Sequence, residues 1–141
     1  MLPKAFLTMF SLWSVLAISA SAVCLNGHAT TQAEYEHSYG VFLGTVVAEQ
    51  SVPAASKPWD QEGTSYTVRV DELLRGKLSG RVRVFNENST GRFPMHVGTK
   101  YLLFVYRVSG RTMVDSCGNS EIFNAKSPTL MAVRKLKEGS N

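Results

Sequence analysis

Between residues 40 and 117 the chain is a succession of short apolar segments of period two, separated by turn-forming residues, and this pattern constrains its fold more than any other feature. Successive side chains of an extended strand point to opposite faces, so such segments bury one face and wet the other. "SYTVRVDELL" places Tyr66, Val68 and Val70 on one face and Thr67, Arg69 and Asp71 on the other. "RVRVF" sets Val82 and Val84 against Arg81, Arg83 and Phe85. "TKYLLFVYRV" is apolar on both faces, which places it at the centre of the sheet. "SGR" then turns the chain into "TMVDSC", the last strand. The first strand is "GVFLGTVVAEQ", whose central Gly44 marks a bend or bulge. "SVPAASKPWDQEG", with two prolines, reads as a long surface loop that holds no regular ladder. "NENSTGRFPMHVG" reads as a second, polar loop, and its Asn88-Ser89-Thr90 is an N-glycosylation sequon, which requires an exposed loop if it is used.

Two segments carry helix signals. "TTQAEYEHSY" starts from a Thr30 or Thr31 cap, with Glu34 near the positive helix end. In "SPTLMAVRKLKEG", Ser127 is the N-cap, Pro128 takes the first helical position and Gly139 closes the end. Leu130, Val133 and Leu136 recur on one side of it. The order is short helix, five strands, terminal helix: an all-β chain with flanking helices. Five strands with tight turns predict a small closed or partly closed antiparallel barrel, since a sandwich wants about seven.

The N-terminus reads as an export signal. Lys4 precedes a run without charge over residues 5–22, and Ala20-Ser21-Ala22 offers small residues for cleavage. The expectation is a signal peptide over residues 1–22 and one domain over residues 23–141, secreted or periplasmic, with no stable membrane span after cleavage. Val23 is bulky where a lipidated cysteine needs a small neighbour, so Cys24 is not expected to carry lipid. The formal charge of +4 falls by one without Lys4, an excess that permits an anionic partner without demanding one. Cys24 and Cys117 are the two cysteines, and in an oxidising compartment an even count most simply means one disulfide, against a reactive or metal-bound thiol.

No catalytic set emerges. Cys24 with His28 or His37 lacks a local signature, and no Gly-x-Ser-x-Gly elbow occurs. His28, His37 and His96 lie in separate elements, and "CLNGH" has no second pair to complete a metal site. Asp71 and Glu72 point to opposite faces, while Asp60 and Glu62 lie in the proline-containing stretch. Neither catalytic residues, metal nor cofactor is expected. Arg69, Arg81, Arg83 and Phe85 could instead form a basic and aromatic strand face that binds anionic polymers, with export arguing against nucleic acid as the ligand.

Taken together the pieces resemble the netrin-like, tissue-inhibitor-of-metalloproteinases-like family of small secreted barrels, in its bacterial form. The carriers are Cys24 just after the cleavage site, the "VFLGTVV" strand, "VRVDELLRG", "GTKYLLFVY", and "VDSCGNS" before a C-terminal helix. The resemblance spans roughly residues 24–136. It implies an OB-like five-stranded barrel with Cys24 bridged to Cys117. It further implies a non-enzymatic, protein-binding domain of metalloprotease-inhibitor type, with Val23, Cys24 and Leu25 as partner contacts and a zinc peptidase as partner. The family typically begins Cys-x-Cys, whereas Ala22 stands at the first position here, and "STGRFPMHVG" lacks the cysteine that would pair with it. The free amine of Val23, rather than that of a cysteine, would then lead the mature chain.

Overall fold

A computed structural model describes residues 24, 25 and 27–140. Its elements, in order, are α1 (Thr31–His37), β1 (Gly40–Ala54), β2 (Lys57–Arg75), β3 (Arg81–Glu87), β4 (Lys100–Val108), β5 (Arg111–Val114), β6 (Glu121–Ile122) and α2 (Pro128–Gly139). The strands run β1-β2-β3-β5-β4 around the molecule, and an antiparallel β1–β4 pairing closes the ring. This is a five-stranded OB-like barrel. One neighbouring pair, β3 with β5, is parallel, and it is held by the single register pair Phe85–Met113.

Two apolar layers account for the strands that are greasy on both faces. Phe42, Val46, Val68, Val84, Leu103 and Val105 fill the barrel. Val41, Leu43, Leu102 and Phe104 point the other way and are covered by Tyr35 of α1 and by Leu130 and Val133 of α2. β4 is accordingly the central strand, paired with β1, β5 and the short β6. Thr30 caps α1 by accepting from the Ala33 amide, and Ser127 caps α2 by accepting from the Leu130 amide. α2 continues through Gly139, which was expected to close it, and Ser140 is the C-cap. Arg134 pairs with Glu72 at 3.1 Å and Lys137 donates to the Leu73 carbonyl, tying α2 to β2.

The register shift of β1 between Leu43 and Gly44 is the bulge expected at that glycine. There Val68 and Phe42 leave no room for a β-carbon. The stretch expected to be a long loop is different: "SVPAASKPWDQEG" is the outer part of a β-hairpin in which β1 and β2 extend well past the barrel. A two-stranded ribbon needs ladder bonds along only one side of each strand, so proline is tolerated where a barrel strand would reject it. Register shifts flank Pro53 on both sides. The loop of residues 88–99 is polar as expected, but Phe93 and Met95 turn inward while Val97 stays exposed. Met95 is buried in the barrel core with Phe93 packed against it, and the Asn86 side chain both donates to and accepts from the Phe93 backbone.

Candidate functional site

The segment leading into α1 is pinned to the chain that follows β5. Cys24 and Cys117 form a disulfide with Cα atoms 5.7 Å apart. His28 Nδ1 lies 2.9 Å from the Cys117 carbonyl, and Asn119 Nδ2 donates to the Ala29 carbonyl. Beneath this tether sits Glu34, only 3% exposed. Its Oε1 accepts from the Tyr106 hydroxyl at 2.7 Å, and its Oε2 accepts from the Asn119 backbone and side-chain amides at 2.6 and 2.5 Å. A buried carboxylate is tolerable only with such saturation by donors. Burial first, and then the hydrogen bond to Glu34, push the Tyr106 hydroxyl far above the usual phenol range, so it remains a donor.

"CGNS" is therefore a docking loop in which every residue has a task. Cys117 forms the bridge, Asn119 supplies two donors, and Ser120 accepts from the Phe104 amide. A β-carbon on Gly118 would collide with Glu34 Oε1, so only glycine lets the carboxylate approach. The tethered segment itself presents Leu25, 92% exposed, at the rim of a 420 Å³ cleft lined also by Gly27, Tyr106, Asp115 and Gly118. Of the expected partner contacts, Cys24 and Leu25 are thus held at one edge, while Val23 and the expected signal peptide lie outside the described residues.

The expected basic face is regrouped. Arg69 and Arg81 are cross-strand partners, but Arg69 is bound by Asp71 at 2.9 Å, and Asp71 also accepts from the Thr45 hydroxyl. Burial opposes ionisation of Asp71, yet the bonds from Thr45 and Arg69 and the charges of Arg69 and Lys100 outweigh it and hold its carboxyl below the usual range. Arg81 and Arg83 are exposed and have no carboxylate within ion-pair distance among the described residues. Phe85 is buried between Gly63, where a β-carbon would strike its ring, and the Arg111 guanidinium, 4.2 Å from the ring centroid.

Arg83 is instead grouped with two arginines that strand patterning did not single out. Arg107 and Arg111 flank the tight β4–β5 turn, where Ser109 and Gly110 both adopt positive φ, as a two-residue hairpin turn of the primed type requires. With Arg83 they line a 430 Å³ cleft between this turn and the base of the β1–β2 ribbon. Arg107 donates to the Thr112 hydroxyl, while Arg111 pairs with Glu62 at 2.5 Å, which holds the Glu62 carboxyl below its ordinary range. This grouping depends on β3 lying beside β5, a neighbourhood created by barrel closure rather than by sequence proximity.

No cluster of three His, Cys, Asp or Glu side chains converges among the described residues, and no helix there is long and apolar enough to cross a membrane. His37 bonds the carbonyl one helical turn back, and His28 the docking loop. No protein-family model matches the chain, and no curated protein is similar enough to stand as a relative.

Proposed function

We propose that the protein is an exported, non-enzymatic module that binds another protein through its disulfide-pinned N-terminal segment. The observation that carries this reading is Leu25, a large apolar side chain 92% exposed on a segment held by a disulfide and by hydrogen bonds to the docking loop. An apolar anchor on a fixed backbone binds without first losing conformational freedom, which is the physics of an interface hot spot. The adjoining cleft gives a partner side chain a place to enter. The Cys24–Cys117 bridge is compatible with an extracellular or periplasmic location.

The netrin-like resemblance makes a zinc peptidase the partner class to test, with the segment beginning at Val23 laid against the enzyme's active-site groove. The purified protein is expected to slow a zinc endopeptidase of its own compartment and to co-elute with it. Leu25→Arg should weaken that complex at least tenfold with an unchanged melting temperature, as for loss of a central hot spot. Failure to bind or slow any such peptidase removes the inhibitor reading. Full binding by the Leu25 variant removes the assigned surface.

A further inference from the structure

We infer that the barrel carries a second binding site, a cleft for an acidic polysaccharide, at the place where β3 and β5 meet the base of the β1–β2 ribbon. One wall is the ribbon, through Gln50 and Pro53; the other is the β4–β5 turn, through Gly110 and Thr112. Three guanidinium groups line the space, those of Arg83, Arg107 and Arg111. Among the described residues the one ion pair made by these three arginines is that of Arg111 with Glu62. Arg107 is engaged only by neutral groups, the Thr112 hydroxyl and the Tyr39 ring, and Arg83 has no ion-pair partner among the described residues. The cleft thus holds an excess of positive charge in a concave site, where planar, multi-donor guanidinium groups are matched to sulfate and carboxylate oxygens.

The charge also continues beyond the cleft. Arg81 stands two residues before Arg83 on the same outward face of β3, a spacing of about 7 Å in an extended strand. A cationic track leading into a cleft suits a ligand with repeated anions rather than one isolated anion. The chemistry of the lining selects among polyanions. Its one aromatic ring, Phe85, is 8% exposed and already covered by Arg111, so no base-stacking platform is offered, as a single-stranded nucleic acid would need. That same cover removes the apolar pocket in which an acidic peptide would seat an anchoring side chain. What remains is guanidinium, hydroxyl from Ser51, Ser65 and Thr112, and the amide of Gln50, the donor set suited to a chain of hydroxylated, anionic sugars. The site is independent of the N-terminal segment.

The test is binding to heparin, which carries sulfate and carboxylate, and to polygalacturonate, which carries carboxylate only, with neutral dextran, a twenty-residue oligothymidylate and polyglutamate as comparisons. The protein should bind at least one of the two acidic polysaccharides more tightly than the oligothymidylate or polyglutamate, should ignore dextran, and should release with rising salt. Arg83→Ala with Arg107→Ala should weaken that binding at least about tenfold, as expected for two lost charge-assisted contacts. Lys126→Ala with Lys135→Ala, which removes equal charge from exposed sites, should leave it within about twofold. Arg83→Lys keeps the charge without the fork, and its partial binding would report guanidinium geometry. Binding to neither polysaccharide, equal losses in the two double variants, or tighter binding to oligothymidylate or polyglutamate would each overturn the assignment.

Discussion

The N-terminal segment and the β1–β2 ribbon both lie outside the barrel wall, and they are fixed in opposite ways. The segment is short, and it is held by a covalent bridge, a buried carboxylate with three donors, and the His28 and Asn119 contacts. The ribbon is long, and beyond the barrel it is held by its own ladder, the exposed Glu62–Arg111 pair, and bonds from the Asn88 backbone and side chain to the Glu62 and Gln61 carbonyls. The difference separates a surface fixed in place from one that can adjust. A buried polar network adds specificity of position at the risk of large losses when half of it is removed. An exposed ribbon costs the barrel little and can wrap a polymer by local adjustment.

The sharpest way to break this contrast is to cut the bridge. Cys24 and Cys117 are 93 positions apart, so Cys24→Ser with Cys117→Ser should lower stability by about 4.6 kcal/mol by the loop-closure estimate, read as a shift in the urea midpoint against the oxidised protein. A shift under about 1 kcal/mol would mean that the polar network alone holds the segment. Next in size is Glu34→Ala, which strands the Tyr106 hydroxyl and the Asn119 amides in a buried site and should cost about 3 kcal/mol. Gly118→Ala should cost about 2 kcal/mol by forcing Glu34 out of its donors, and much less if made in an Glu34→Ala background, where the collision is gone. Additive losses in that double variant would contradict the packing described for the docking loop.

These contrasts track what was legible beforehand. The barrel strands, the N-caps of both helices and the Gly44 bulge could be read locally, because period and cap chemistry are short-range properties. Central placement of β4 followed from its two apolar faces. The ribbon was missed because Pro53 and Pro58 suppress strand signals, although a free-standing hairpin tolerates them. The docking network was also out of reach: Glu34, Tyr106 and Asn119 are distant in sequence, and only the fold brings them together. A partial signal was the place of Glu34 beside Tyr35, the α1 residue that packs on the barrel. The arginine cleft is hidden for the same reason: Arg83 shows on its strand, but Arg107 and Arg111 join it only because β5 lies beside β3.

The smaller effects are on the ribbon side. Asp71 lies on the barrel part of the hairpin, and its carboxyl is held below the usual aspartate range by Thr45 and Arg69. A depressed folded value means that the stabilisation is present above the unfolded pKa and is lost as pH falls through the folded one. The urea midpoint should therefore drop below about pH 4, and Asp71→Asn should flatten that acid limb while leaving the midpoint at pH 7 lower. An unaltered acid limb would place the titration elsewhere. Smallest of all should be the effect of shortening the ribbon, by deleting residues 52–61 and joining the arms with Asn-Gly. None of the barrel core lies in that stretch, so the melting temperature should stay within a few degrees. Heparin binding should nevertheless fall, because Val52 and Pro53, the outer part of one wall of the arginine cleft, go with the deletion. A large loss of stability would show that the ribbon braces the barrel as the N-terminal bridge does, and the two regions would then differ in shape alone.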